Sequence, residues 1–179
     1  MRVIAGICGG RKLKTPADDA VRPTTDKVKE ALFSSIQFEL EGADVLDAFA
    51  GSGQLGIEAL SRGGRSAVFI DNSRQSLALI RQNLALCALQ GETVQADTLE
   101  YLQGCAKQFD IAFLDPPYRT GLLQKALPAV SRVMREGGVI LAECPEDEVT
   151  PDTLANGFVK VKTKKYGTMR LNYYRKGSE

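Results

Sequence analysis

The chain contains no histidine at any of its 179 positions. Ser-His-Asp and Cys-His nucleophilic catalysis are therefore excluded, along with every His-bearing metal site. Any acid–base chemistry must rest on carboxylates, lysines or tyrosines. Cysteine is scarce too. Cys8, Cys87, Cys105 and Cys144 are scattered with no CxxC pair, so neither a disulfide framework nor a zinc knuckle is expected. Buried thiols in a reducing compartment fit better, and no bound metal is called for. No apolar run approaches the ~20 residues of a membrane span. The opening MRVIAGICGGRKLK turns basic too early for a signal peptide. A cytoplasmic protein with no membrane partner is expected, with a monomer as the default.

What is present suits one domain with its own core. The composition, 44% hydrophobic and 25% charged, is that of an ordinary globular chain. The net charge of +1 conceals an uneven distribution. Residues 1–29 carry seven Lys/Arg against three Asp; residues 30–157 carry nine against eighteen acids; residues 158–176 carry seven and no acid. An acidic body between two basic ends favours a polyanionic partner more than either end does alone.

The first residues, RVIAG then GGRKLKTP, read as a short hairpin turning at Gly9-Gly10. After Pro23, Val28, Ala31, Leu32, Ile36 and Leu40 recur at helical spacing, with Thr24 or Thr25 as N-cap. From Ala43 onward, strand-like runs (ADVLDAF, SAVFID, ETVQAD, FDIAFLD, GVILAEC) alternate with helical runs (GQLGIEALSRG, SRQSLALIRQNLALCAL, TLEYLQGCAK, TGLLQKALPAVSRVMREG). That alternation predicts βαβ units and a parallel sheet. FVKVKTKKY and TMRLNYYRK alternate in period two around Gly167, as a closing antiparallel hairpin would. Residues 1–40 are expected to be a hairpin-plus-helix extension packed on a core of residues 41–179.

The first strand runs into DAFAGSGQLGIEAL, where Gly51, Gly53 and Gly56 fit G-x-G-x-x-G between strand and helix. In a dinucleotide site the helix N-terminus receives a pyrophosphate. Asp47, four residues before Gly51, would repel phosphate and suit a cationic group. S-adenosylmethionine, with an ammonium and a sulfonium, fits this acidic loop better than NAD. Asp71 closes the next strand, where a carboxylate can take both ribose hydroxyls. Asp97 closes the third and could accept from an adenine amine, or simply cap the helix that follows. Asp115 closes FDIAFLD, and no helix follows it directly.

Asp115 opens the sequence DPPY, with Pro116, Pro117 and Tyr118. The prolines fix φ and supply no N–H, and Pro117 biases Pro116 toward extended geometry. The result is a stiff cluster of acceptors beside an aromatic face. It suits a planar base with an exocyclic amine, held by two hydrogen bonds and stacked on Tyr118. Holding both N–H groups frees the nitrogen lone pair for in-line attack on a methyl, so positioning supplies most of the acceleration and no strong base is needed.

With RVIAG, GGRKL, RPTTDKVKEALF, VLDAFAGSGQLGIEALSRG, FDIAFLDPPY and YGTMRLNYY in place, the chain resembles, over nearly its whole length, the RsmD family of bacterial methyltransferases. These place a methyl on N2 of a guanine in 16S rRNA of the small ribosomal subunit. The resemblance implies a class I, Rossmann-like α/β fold: seven mostly parallel strands with helices on both faces, and S-adenosyl-L-methionine as methyl donor. It implies cofactor contacts from Asp47, Ala50, Gly51, Ser52, Gly53, Asp71 and Asn72, with Asp97 facing the adenine, and a catalytic loop of Asp115, Pro116, Pro117 and Tyr118. Arg22, Pro23 and Thr24 would lie near the substrate. Arg11, Lys12, Lys14, Arg22, Thr24, Lys162, Lys164 and Lys165 would contact RNA, which an assembled or assembling small subunit presents. Ala48 and Gln54 depart from the family pattern, as do Lys27 and Lys29, where arginine is usual; lysine keeps the charge and loses the bidentate geometry.

Four other readings stay open at this stage. An adenine-N6 methyltransferase keeps fold and loop, although 179 residues leave little room for a target-recognition domain. A NAD-dependent oxidoreductase is disfavoured by Asp47 and by the lack of a hydride-site pair, and protein-glutamine methylation by Asp115 where asparagine is preferred. A non-catalytic RNA-binding module would bind cofactor without transferring methyl.

Overall fold

A computed structural model describes residues 1–16 and 25–177. Seven strands form one sheet: β1 (Asp44–Asp47), β2 (Ser66–Asp71), β3 (Glu92–Gln95), β4 (Phe109–Leu114), β5 (Met134–Pro145), β6 (Phe158–Tyr166) and β7 (Met169–Lys176). Their order is β3-β2-β1-β4-β5-β7-β6. The pairs among β1 to β5 are parallel, and β7 runs antiparallel to both β5 and β6. The order reverses between β1 and β4, which makes the C-terminal ends of these two strands a natural crevice for ligand. Among the described residues no helix is long and apolar enough to cross a membrane.

Period-two alternation sends each strand's apolar residues to two cores. Val45, Phe69, Ile111, Phe113, Val139 and Leu141 face one of them, and Leu46, Val68, Ile70, Ala112, Leu114 and Ile140 face the other. Helices α1 (Asp26–Ser35), α2 (Gln54–Ser61) and α3 (Arg74–Leu86) cover the first face; α4 (Thr98–Gly104) and α5 (Leu122–Ser131) cover the second. This is the class I methyltransferase fold expected from the sequence.

Gly56 shows why the third glycine of the loop is required. A Cβ there would lie 2.3 Å from the Phe69 ring on β2, so only glycine lets α2 settle this closely on the sheet.

The N-terminal segment docks by polar contacts as well as apolar ones. Arg2 and Lys12 form a single antiparallel bridge, and the turn spans more than the expected Gly9-Gly10 pair, with Gly9 N–H donating to Gly6 O. Val3, Leu13, Leu32 and Phe33 enter the same core as the sheet. Glu58 on α2 accepts from the N–H groups of Ile4 and Ala5 at 2.8 and 3.0 Å. It also faces Lys29 Nζ at 3.6 Å and Arg62 Nε at 2.8 Å. Lys29, fully buried, donates to the Arg2 carbonyl. The lysine that stands where arginine is usual is thus a structural tie.

Two helices, α1 and α5, stop well short of the expected runs. Helix α1 stops at Ser35, although Ile36 and Leu40 still bury in the core. The run predicted as helix to residue 137 ends at Ser131, and MREG joins β5. Phe109 N–H bonds Val133 O, and Met134 pairs with Phe109. Arg135 reaches Asp110 and Asp44 at 2.6 and 2.9 Å. Pairing across the sheet and these carboxylates outweigh the local helical pattern. Cys8, Cys87 and Cys144 are buried free thiols, and Cys105 is partly exposed.

Candidate active site

A cavity of about 800 Å³ opens over the C-terminal ends of β1, β4 and β5. Its size is that of a small-molecule site. At its centre three carboxylates share one face of the sheet. Val45, Phe113 and Leu141 point to the first core, so Asp47, Asp115 and Glu143, each two residues further on, point the same way. Continuing the register that sets Leu114 beside Ala142 brings Asp115 abreast of Glu143.

Asp47 is almost fully buried, and its Oδ2 accepts from Gly56 N–H at 3.0 Å. Burial, with the nearby charge of Asp71, pushes its carboxyl up to about 7, against the pull of the Gly56 bond. Asp115 keeps only a little of its surface open to the cavity. Its burial, then the charges of Glu143 and Asp47, raise it well above the usual carboxylate range. Tyr118 donates its hydroxyl to Glu143 Oε1 at 2.7 Å. Burial and that carboxylate hold the phenol protonated. This wall is rich in acceptors, since neither Pro116 nor Pro117 has an N–H to donate.

The glycine loop is built by side chains as much as by glycines. Gly53 caps α2 at φ 77°, in the left-handed region. Asp71 Oδ2 accepts from Gly51 N–H at 2.9 Å, and its Oδ1 from Ser73 N–H at 2.8 Å. Asn83, fully buried on α3, donates to the Ser52 and Lys14 carbonyls and accepts from Lys14 N–H. It ties the loop to the N-terminal segment; as one polar residue among several in a helical run, it carried no signal in the sequence.

Of the expected cofactor residues, Asp47, Ala50, Gly51, Ser52, Asp71, Asn72 and Asp97 line the cavity. Gly53 does not; its place is the turn beneath, against Ile80. Asp97 takes the capping role, with Oδ1 accepting from Leu99 and Glu100 N–H, while also reaching the cavity wall. All four loop residues, Asp115 to Tyr118, line it. So do Gln54, the departure from the family pattern beside the glycine loop, and Glu143, which sequence reasoning did not place there. Gln54 Oε1 is buried with no hydrogen-bond partner among the described residues. An orphan acceptor on a ligand wall calls for a donor from the ligand. With the acids at the strand tips it fits a ligand carrying an ammonium, a ribose and no phosphate, as S-adenosylmethionine does.

Among the described residues, the arginine and lysines expected to contact RNA lie outside the cavity lining. Lys162 Nζ sits 5.7 Å from the centre of the Tyr173 ring, whose hydroxyl lies 3.1 Å from Ser35 Oγ on α1. Lys164 is pushed below the usual lysine range by partial burial and then by the charge of Lys162, so two cations stand close on the edge strand β6. Lys165 pairs with Glu146. Arg11 donates to the Leu86 carbonyl, and Lys14 Nζ to Gln82 Oε1 at 2.9 Å. Lys12 is exposed. Arg22, Pro23 and Thr24 lie outside the described residues. Thr25, Lys27 and Val28 at the start of α1, and the β6–β7 turn, close the cavity's other walls.

The family model described as conserved hypothetical protein 95 matches residues 1–175. The chain is 37% identical to YlbH of Bacillus subtilis (strain 168), over 98% of this chain and 99% of that protein. It is 34% identical to the ribosomal RNA small subunit methyltransferase D of Haemophilus influenzae, over 85% of this chain and 83% of the other. The solved structure of yhhF from Escherichia coli superposes with a TM-score of 0.88 at 32% identity, covering 100% of this chain and 99% of that one.

Proposed function

The chain belongs to the conserved hypothetical protein 95 family, the RsmD family of its sequence resemblance, and from that premise we propose that it methylates the N2 amine of a guanine in small-subunit ribosomal RNA. The observation that carries the proposal is the acceptor wall. Asp115, abreast of Glu143 and followed by two prolines, faces the same cavity as the acidic glycine loop.

The cofactor, S-adenosyl-L-methionine, supplies a methyl made electrophilic by its sulfonium. Asp47 and Gln54 offer acceptors at the glycine loop, and Asp71 offers a carboxylate at the tip of β2. Asp115 and the carbonyls of the rigid loop accept the N–H groups of the target amine. That turns the nitrogen lone pair out of conjugation with the ring. Tyr118, its hydroxyl fixed on Glu143, gives the base a face for stacking. Asp115 also serves as the proton's destination, because its carboxyl is raised by burial and by its neighbours. A single positioned carboxylate suffices, in keeping with a chain that has no histidine.

Outside the cavity, Lys162 and Lys164 on β6 offer phosphate contacts that set the RNA's position without reading its sequence. A small-subunit ribonucleoprotein, which presents one base in a fixed setting, is the proposed partner, and the cytoplasm the proposed compartment. The test offers labelled cofactor with undermethylated small subunits and with free ribosomal RNA. Label on the RNA that disappears with Asp115→Ala supports the proposal. Retained cofactor binding with no label on either acceptor would make the chain a non-catalytic RNA-binding module.

A further inference from the structure

A donor nucleoside is recognised at both of its ends, and the amino-acid end has a charge that something must accept. We propose that the Gln54 side chain accepts a hydrogen bond from the α-ammonium of S-adenosylmethionine, and so makes the site selective for nucleosides that carry this group. The inference concerns the cofactor alone and holds whichever amine is methylated.

Gln54 opens α2, directly after the glycine turn. It is 8% exposed and lines the cavity, and its Oε1 is buried with no hydrogen-bond partner among the described residues. Its direction follows from two contacts further along the helix. The Arg62 guanidinium lies 5.0 Å from the centre of the Phe33 ring, and Glu58 Oε2 lies 3.6 Å from Lys29 Nζ. Residues four apart share one helix face, so α1 and α2 run side by side in the same direction. One turn nearer both N-termini, the same register sets Gln54 beside Thr25, and both line the cavity. Phe33 in turn packs on Phe113 of β4, with ring centres 5.5 Å apart. Because β1 lies between β4 and β2, the Gln54 amide faces the Asp115 side of the glycine loop, away from Asp71.

S-adenosylmethionine carries three kinds of N–H or O–H donor: the adenine amine, the ribose hydroxyls and the ammonium. The first two belong to the adenosine end. The acids placed for them, Asp71 and Asp97, stand at the ends of β2 and β3. The reacting methyl must face the loop after β4, and the amino-acid chain leaves from the same sulfur. The ammonium is therefore the donor that comes to Gln54. It has three N–H groups, enough for Gln54 and for Asp47, which lines the same cavity. An acceptor buried without a partner destabilises the free protein, and this ligand removes the penalty. In the sequence Gln54 stood out only as a departure from the family pattern. The register of α1 on α2 gives it a direction.

The test measures binding by calorimetry for three nucleosides: S-adenosylhomocysteine, the same molecule without its α-amine, and 5′-methylthioadenosine, which lacks the amino-acid end. Gln54→Met keeps the size and removes the acceptor. It is expected to weaken S-adenosylhomocysteine binding about tenfold or more, since a bond to a charged donor is lost, and to leave the other two within about twofold. The free variant should melt no lower than wild type, because an unpaired buried acceptor is gone. Gln54→Glu keeps an acceptor and should retain the preference for the amine. Equal weakening of all three ligands would make Gln54 a packing residue of the loop and overturn the inference. Undiminished S-adenosylhomocysteine binding by Gln54→Met, or a lower melting temperature of the free variant, would give Oε1 a partner within the protein and overturn it as well. None of these results bears on which base is methylated.

Discussion

Tyr118 donates its hydroxyl to Oε1 of Glu143 across 2.7 Å, which fastens the rigid loop after β4 to the tip of β5. The bond makes the stacking face and the acceptor wall one unit. Tyr118→Phe keeps the ring and removes the bond. Because a hydrogen bond to a charged group contributes about 1.5–3 kcal/mol, kcat should fall about tenfold. KM for the RNA should change little, since the face remains. Steady-state kinetics on the same acceptor checks this; a tenfold rise in KM at constant kcat would assign Tyr118 to binding alone.

Asp47 should make cofactor affinity depend on pH. Burial raises its carboxyl from 3.8 to about 7, so the folded protein holds a proton there that the unfolded chain releases at lower pH. The stability this proton lends is fully present below about 3.8 and is lost as pH rises through about 7. A cationic ligand favours the ionised form, so binding below pH 7 expels the proton. Affinity for S-adenosylmethionine should therefore rise from pH 5.5 to 7.5 by up to about tenfold per pH unit, then level off. Calorimetry across that range should show the slope in wild type and none in Asp47→Asn. A slope that survives the substitution assigns the proton elsewhere.

Glu58 should matter more to stability than to chemistry. It holds Lys29, Arg62 and two backbone N–H groups in a fully buried site. Removing one partner of a buried ion pair leaves the other uncompensated, so Glu58→Gln should cost about 3–5 kcal/mol in urea unfolding. A loss below about 1 kcal/mol would mean that Lys29 sheds its proton or finds another acceptor; burial already lowers its pKa.

The sheet and its crevice were legible because βαβ repetition, glycine spacing and acids at strand ends are local signals. Asp47, Asp71 and Asp115 announced themselves by closing apolar runs. Residues whose role depends on register or on a distant element did not. Glu143 meets Asp115 only across β4 and β5, and Asn83 braces the glycine loop from α3. The MREG run followed a helical pattern until sheet pairing claimed it. Charge was legible as a count, but pairing was not: Lys165 is engaged by Glu146, and Arg11 by a backbone carbonyl.

That pairing sharpens the expectation for RNA contacts. Lys162→Ala with Lys164→Ala should lower the slope of log affinity against log salt by about 1.4, at about 0.7 per released counterion on single-stranded RNA. Adding Lys165→Ala should change it less than either of the others, because Glu146 already holds that ammonium. Binding titrations at several salt concentrations check this, and an unchanged slope in the double variant would remove β6 from the interface.

The most direct test of the account is the identity of the methylated nucleoside. Undermethylated small subunits are incubated with the protein and labelled S-adenosylmethionine, the RNA is digested, and its nucleosides are separated. The guanine-N2 reading predicts N2-methylguanosine, absent when Asp115→Asn replaces the wild type. Label in N6-methyladenosine would contradict the account.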